Sequence, residues 1–164
     1  MEKMIKREQI AGMNIHYLFY SLEYFLDAQA AAGIRTIEFW PGTPHFFLSY
    51  LEYSDCKRVR KLLNDRDLTL RVITPENCTY QYQFAAQEKE QFEKSLGYFR
   101  KALDAGGELG AEIMAINSGW GYWNEDREEA WKRSREMLSM LAEYAKERGI
   151  RLAMESLRPQ ESNL

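Results

Sequence analysis

Residues 33–40 read Gly-Ile-Arg-Thr-Ile-Glu-Phe-Trp, a glycine followed by a run rich in β-branched and aromatic side chains. Such a run is typical of a strand, and a glycine in front of it is typical of the end of a helix. The residues upstream agree, because Ser21 is a good N-cap and Phe25 and Leu26 share one helical face. The stretch therefore predicts a helix that ends at Gly33 and leads directly into a strand.

The same alternation of strand and helix extends along the whole chain. Further strands are predicted at Gln9–Ile15, Leu68–Thr74, Ala111–Asn117 and Ile150–Glu155. Helices are predicted to begin at Ser54, to run from Glu88 to Leu109, and to extend from a cap at Asn124 to Gly149. The last helix is expected to turn five side chains inward: Trp131, Leu138, Leu141, Ala142 and Ala145. Strand–helix alternation predicts an α/β protein with a parallel sheet and right-handed crossovers.

Two parallel architectures are compatible with this pattern, an open doubly wound sheet and a closed (β/α)8 barrel. The open sheet needs only five strands, but no Gly-rich phosphate loop follows the first strand, where Ala11-Gly12-Met13-Asn14 stands instead. The barrel takes about 250 residues, and the chain has 164. The residues alone leave both architectures open.

Composition excludes several classes of protein. The net charge is −3, so there is no general attraction to nucleic acid or to an anionic membrane. No apolar run approaches the roughly 20 residues of a membrane-spanning helix, and residues 1–8 lack the apolar segment of a secretory signal. The two cysteines, Cys56 and Cys78, form no CxxC pair and, together with His16 and His45, have no zinc-ligand spacing, so they are predicted to be reduced thiols rather than a disulfide. We expect a cytoplasmic protein with neither nucleic acid nor membrane as a partner.

The segments after the strands are longer and richer in aromatic and polar residues than those before them. Ligands of parallel α/β proteins bind at the carboxyl ends of strands, so this edge predicts a site for a small polyhydroxylated molecule. Alternation along the fifth strand turns Glu155 to the interior face, where a carboxylate must be paired or functional. The structural alternative is a salt bridge to Arg71. Glu38 has the same inward parity and could be structural or functional, whereas His45 and Glu161 look like ordinary loop residues.

Several motifs resemble the sugar-phosphate isomerase/epimerase superfamily of xylose isomerase-like TIM barrels, most closely its fructoselysine and ketose 3-epimerases. They are the stretch 33–40, the segments Pro44-His45-Phe46 and Thr74-Pro75-Glu76-Asn77, and above all the run 154–163, Met-Glu-Ser-Leu-Arg-Pro-Gln-Glu-Ser-Asn. The resemblance runs from about Gln9 to the last residue. The Glu-x-Leu-x-Pro-x-Glu-Ser-Asn pattern within it is fairly specific.

The resemblance implies an epimerase or isomerase that abstracts a proton next to a sugar carbonyl, with a divalent metal (manganese, magnesium or cobalt) stabilising the enediolate. In such enzymes four residues at the ends of the fifth to eighth strands hold the metal. Glu155 matches the fifth-strand glutamate that binds metal and takes part in proton transfer. Glu161 matches a glutamate that contacts the sugar, and His45 and Trp120 match positions that line the substrate pocket.

The chain differs from the family by carrying about five of eight strands. We therefore expect residues 1–164 to be a single domain, the N-terminal part of a barrel, with residues 1–8 flexible. The isolated chain is expected to be an inactive truncated form that binds no metal stably by itself. Its open sheet edges predict a homodimer or larger self-assembly. The alternatives are a noncatalytic half-barrel that binds sugar or serves assembly, and an apurinic-site endonuclease-like hydrolase.

Overall fold

Five parallel strands form one sheet in the order β1-β2-β3-β4-β5. A computed structural model describes residues 5–48, 54–77 and 81–164. The strands are β1 (Ala11–Met13), β2 (Thr36–Phe39), β3 (Thr69–Ile73), β4 (Ile113–Ile116) and β5 (Arg151–Met154). The connecting helices are α1 (Leu22–Ala31), α2 (Ser54–Asn64), α3 (Lys89–Leu109) and α4 (Arg127–Lys146). Because a doubly wound sheet reverses its strand order at a switch point, this unreversed order agrees with the wall of a (β/α)8 barrel.

The two faces of the sheet differ in what covers them. Ile37 and Phe39 of β2 and Met114 and Ile116 of β4 are buried on the face that the helices cover. That layer contains the largest fully buried side chains, among them Phe25, Phe39, Phe84, Phe99, Met137 and Leu141. The alternate residues of the same strands are less buried and lie on the opposite face, which is the interior face of a barrel.

Strand β5 pairs with β4 so that Leu152 lies beside Met114 and Met154 beside Ile116. Leu152 and Met154 therefore share the helix-covered face, and Ala153 and the following Glu155 lie on the interior face, as alternation predicts. Met154 is nevertheless 57% exposed, because the described part of the chain has no helix after β5 to cover it. Within that part β1 and β5 each pair with one neighbour only, so the backbone N–H and C=O groups on their outer sides are open edges.

The predicted start and end of the first helix are confirmed. Ser21 accepts the backbone N–H of Tyr24 at 3.1 Å as the N-cap of α1, and Gly33 follows that helix with φ +71°. The first strand is shorter than predicted, because 3₁₀ turns at Arg7–Gln9 and Asn14–Tyr17 flank it. The flexibility of residues 1–8 stays a prediction, and residues 1–4 lie outside the described residues.

Two predictions about α4 are wrong. The helix begins at Arg127, because the Asp126 side chain, rather than Asn124, accepts the backbone N–H of Glu128 at 2.9 Å. Trp131 is 46% exposed, and Ala142 is exposed as well. The buried face consists instead of Ala130, Ser134, Met137, Leu141 and Ala145. Small residues are needed there, since a Cβ on Gly121 of the preceding loop would lie only 2.5 Å from the Cβ of Ala130.

No helix among the described residues is long and apolar enough to cross a membrane.

Candidate active site

The loops after β1 and β2 are joined by a buried side chain, that of Asn14. Its Oδ1 accepts the backbone N–H of Trp40 at 2.7 Å, and its Nδ2 donates to the Trp40 carbonyl at 2.9 Å. The same Nδ2 lies 3.0 Å from Nδ1 of His45. Because Asn14 is fully buried, these contacts replace water as the partners of its amide and fix the path of both loops.

His45 is one of the residues to which the sequence assigned a substrate contact. It is 4% exposed, and its Nε2 lies 2.8 Å from the carbonyl oxygen of Tyr20. With Asn14 donating to Nδ1, the arrangement fits the tautomer in which Nε2 carries the proton and donates to Tyr20. Both ring nitrogens are thus used within the protein, which makes His45 a support of the two loops. Its contact with substrate stays a prediction.

The interior face carries Glu38, whose Oε1 accepts a hydrogen bond from Thr74 Oγ1 at 2.7 Å. This contact ties the side chain of β2 to the end of β3 and gives the carboxylate a neutral partner. The proposed salt bridge between Arg71 and Glu155 is wrong. Arg71 is the extra residue of a bulge in β3, and its Nε lies 3.6 Å from Oε1 of Glu112, at the amino-terminal side of β4.

Glu155 stands at the carboxyl end of β5. Its backbone N–H donates to the carbonyl of Ile116 at 2.8 Å, which continues the ladder to β4 and fixes its main chain. Its side chain is exposed and has no hydrogen bond or ion pair with any residue that the structure describes. A carboxylate held by a rigid strand end, on the interior face and without a protein partner, is available to a proton, a metal ion or a substrate.

Glu161 lies six positions further along the loop and is engaged by Arg158. Arg158 Nη2 donates to Oε1 at 2.6 Å and Nε to Oε2 at 3.0 Å, a two-pronged ion pair. These hydrogen bonds from Arg158 lower the pKa of the Glu161 carboxyl below its usual value. Both side chains are exposed, so the pair contributes little to stability but holds the Glu161 carboxylate in one orientation.

The loops after β4 and β5 are held together by a set of polar contacts that we call the polar clamp, formed by Asn117, Ser118, Ser162 and Asn163. The sequence analysis missed these four residues as a group. Ser162 and Asn163 belong to the Glu-Ser-Asn motif, but small polar residues in a loop are indistinguishable from solvated ones until the facing loop is known. The signal available was their position directly after Glu161.

Trp120 packs edge-to-face on Tyr122, with ring centroids 5.7 Å apart. Beside them, a cleft of about 440 Å³ opens between the loops after β4 and β5, with Trp123, Leu157 and Pro159 in its wall. Neither Trp120, Glu155 nor Glu161 lines this cleft. The structure thus places the three residues on neighbouring loops at one edge of the sheet, and the cleft beside them is lined by neither these three nor His45.

Whether a metal ion fits this site depends on the ligands that the described residues provide. Within residues 5–48, 54–77 and 81–164 there is no group of three or more His, Cys, Asp or Glu side chains that could hold one. At the carboxyl end of β5, Glu155 offers a carboxylate of the hard oxygen type that manganese and magnesium accept. The described residues therefore provide one candidate ligand and no cluster of three that could hold a metal ion.

Comparison with known proteins gives the geometry its context. A family profile described as a xylose isomerase-like TIM barrel matches residues 26–164. Among curated proteins, the fructoselysine 3-epimerases of Escherichia coli O157:H7 and Shigella flexneri are each 31% identical over 140 residues. The match covers 85% of this chain and 50% of either relative, so the chain spans about half the length of the curated relatives it matches.

Solved structures agree on the fold. A D-psicose 3-epimerase determined in the presence of D-fructose superposes with a TM-score of 0.72 at 15% identity, covering 89% of this chain and 52% of that one. An L-ribulose 3-epimerase gives a TM-score of 0.67 at 23% identity, covering 84% and 44%. At these identities the likeness shows the fold alone. It confirms the prediction of an incomplete (β/α) barrel containing strands one to five.

Proposed function

Because the chain belongs to the xylose isomerase-like TIM barrel family, we propose that the protein carrying it is a metal-dependent 3-epimerase or isomerase of a ketose or fructosamine-type sugar. The observation that carries the proposal is Glu155, a carboxylate on the interior face at the carboxyl end of β5 that has no hydrogen bond or ion pair within the described part of the chain. Active sites of these barrels lie at that edge. The 31% identity to fructoselysine 3-epimerases supports a sugar whose C3 proton is acidified by a neighbouring carbonyl.

In the proposed mechanism Glu155 acts as a general base that removes the proton next to the carbonyl. Its main chain is fixed by the bond to Ile116, so the carboxylate operates from a rigid strand end. Glu161 contacts the sugar near its carbonyl end, and the two hydrogen bonds from Arg158 orient its carboxylate. Inversion at C3 requires a second acid to return the proton on the opposite face.

The proposal includes a divalent ion of the manganese, magnesium or cobalt type, with Glu155 as one ligand. When bound, such an ion acts as a Lewis acid that stabilises the negative charge developing on the sugar oxygens. The described residues offer no cluster of three ligands, so the remaining ligands would come from outside them. We accordingly expect the isolated 164-residue chain to be inactive and to hold no stoichiometric metal, which elemental analysis of the purified chain measures.

Trp120 and His45 complete the proposed substrate site. Trp120 would offer an aromatic face to the C–H groups of the sugar, and its packing on Tyr122 holds the ring. His45 would act mainly through the loops that it supports, because both of its nitrogens are used by Asn14 and Tyr20. A cytoplasmic location is part of the proposal and is supported by the free thiol of Cys56; Cys78 lies outside the described residues.

Self-association is also proposed, as a homodimer or larger assembly. Its support is the pair of open edges, β1 and β5, which expose unpaired backbone groups along the described sheet. A second candidate function follows from the same edges, a noncatalytic half-barrel that binds sugar or serves assembly. Sedimentation of the 164-residue chain at micromolar concentration tests the association, and a monomer at every concentration contradicts it.

The experiment that tests the proposed activity uses the full-length protein containing this chain. Purified protein is incubated with fructoselysine or a free ketose, with manganese or with a chelator, and the C3 epimer is measured by NMR. We expect turnover that the chelator abolishes and that falls by at least about 1000-fold in Glu155→Gln. The matched control is Glu112→Gln, which removes an exposed carboxylate at the opposite end of the sheet. Absence of turnover on any ketose, or equal loss in both variants, contradicts the proposal.

A further inference from the structure

The loop after β5 is anchored near its far end rather than along its length. Residues 155–161 are exposed apart from the half-buried Leu157, and Ser162 is the first buried residue after the strand, at 9% exposure. Any ordering of the loop that carries Glu155 and Glu161 therefore depends on what Ser162 and its neighbours contact.

Asn163 makes the most specific of these contacts. Its Oδ1 accepts the backbone N–H of Gly121 at 2.8 Å, and its Nδ2 donates to the carbonyl of the same residue at 2.9 Å. The side-chain amide thus pairs with the loop after β4 as a neighbouring strand would, through one donor and one acceptor. Aspartate has no N–H to donate, so it can reproduce only half of this pairing.

Ser162 and Ser118 add a second attachment between the same loops. Ser162 Oγ donates to the carbonyl of Gly119, and Ser118 Oγ donates to the carbonyl of Leu164 at 2.8 Å. The two hydroxyls are themselves 3.2 Å apart. The backbone groups on both loops are therefore satisfied by the facing loop, which restrains both of them.

The clamp is in turn fixed to the rest of the barrel wall. Asn117, 1% exposed at the end of β4, donates to Oδ1 of Asn77 in the loop after β3 at 2.6 Å and accepts the N–H of Gly119 at 2.8 Å. Ser134 of α4 donates to the carbonyl of Ser118 at 2.5 Å. Three loops and a helix are thus joined in one hydrogen-bonded network.

We propose that the polar clamp positions Glu161 for its contact with the sugar and the end of β5, which carries Glu155, for proton transfer, with Asn163 as its principal positioning residue. The proposal rests on the proposed function, because it concerns the same two glutamates. None of the clamp residues needs to touch the sugar. Their contribution is to hold a mostly exposed loop in one place, and small misplacements of catalytic groups cost up to about 100-fold in rate.

Hydrogen exchange on the 164-residue chain tests the clamp without reference to activity. Asn163→Ala is compared with Gln160→Ala, which truncates an exposed side chain of the same loop. We expect exchange at the Gly121 amide to rise at least tenfold in Asn163→Ala and to stay unchanged in Gln160→Ala, with the amides of β4 equally protected in both. Unchanged exchange at Gly121 overturns the clamp.

Kinetics of the full-length protein test the positioning role. We expect kcat to fall about 10- to 100-fold in Asn163→Ala with a smaller change in KM, an intermediate loss in Asn163→Asp, and none in Gln160→Ala. Wild-type kcat in Asn163→Ala, despite faster exchange at Gly121, overturns the proposal and leaves the proposed function standing. A wild-type protein with no epimerase activity contradicts the proposed function and the positioning role together, whereas the exchange result still reports on the clamp.

Discussion

Asn14 is the residue whose removal tests the architecture of the site most sharply. Replacing it with alanine eliminates three hydrogen bonds, those to the N–H and the carbonyl of Trp40 and that to Nδ1 of His45. Asn14 is fully buried and His45 nearly so, so water does not readily replace the lost partner. At about 1 kcal/mol for each buried hydrogen bond, the free energy of unfolding should fall by about 3 kcal/mol.

Urea denaturation of the 164-residue chain, followed by circular dichroism, measures this loss. With a slope of about 2 kcal/mol per molar urea, the midpoint of Asn14→Ala should move down by about 1.5 M. Asn124→Ala is the control, because Asn124 is exposed and its side chain has no hydrogen bond among the described residues; its midpoint should not move. A loss below about 1 kcal/mol in Asn14→Ala would refute the inference that Asn14 joins the two loops.

Three further predictions concern packing and ionisation. Phe99→Ala removes a fully buried ring that stacks on Phe84 with the ring centroids 4.2 Å apart. The free energy of unfolding, measured by thermal denaturation, should fall by about 3–5 kcal/mol, and a fall of less than about 1 kcal/mol would contradict the packing. Burial raises the pKa of the Cys56 thiol to about 11. In the Cys78→Ser variant, the contribution of Cys56 to stability should therefore be fully present below the pKa of the unfolded thiol and be lost as the pH rises towards 11, and rapid labelling by a thiol reagent at pH 8 would disagree. Arg158→Gln should raise the pKa of Glu161 towards its ordinary value, which a carbon-13 NMR titration measures, and an unchanged titration would count against the ion pair. With Arg158 present, the contribution of Glu161 to stability exists above the pKa of Glu161 in the unfolded chain. This contribution is lost as the pH falls through the pKa of Glu161 in the folded protein.

The order and type of the elements were predictable because they depend on local signals. Glycines such as Gly33 end helices, and alternating apolar residues mark each strand. Strand order was not predictable from this alternation, since a doubly wound sheet and half of a barrel share it; the barrel was predicted only from the resemblance to a known family. The prediction for the buried face of α4 was wrong because it placed the large apolar side chain of Trp131 inward. The loop at Gly121 approaches the helix so closely that the small Ala130 is needed on that face.

The position of a candidate site residue was predictable only where it follows from the strand that carries the residue. Glu155 could be located from parity alone, and its register beside β4 agrees. The ion-pair partner of Arg71 could not be predicted, because neither the bulge in β3 nor the position of Glu112 beside it is visible in the sequence. The polar clamp was missed for a related reason, because Asn163 accepts a hydrogen bond from a backbone N–H 42 residues earlier in the chain.

Solvent deuterium incorporation at C3 of the sugar tests the central claim most directly. The full-length protein containing this chain is incubated with a ketose or fructoselysine in heavy water, and the C3 position is monitored by NMR in the wild type and in Glu155→Gln. The account predicts that deuterium enters C3 in the wild type and that exchange falls by at least about 1000-fold in the variant, whose amide cannot accept the proton. Exchange at the wild-type rate in Glu155→Gln would contradict the assignment of Glu155 as the base.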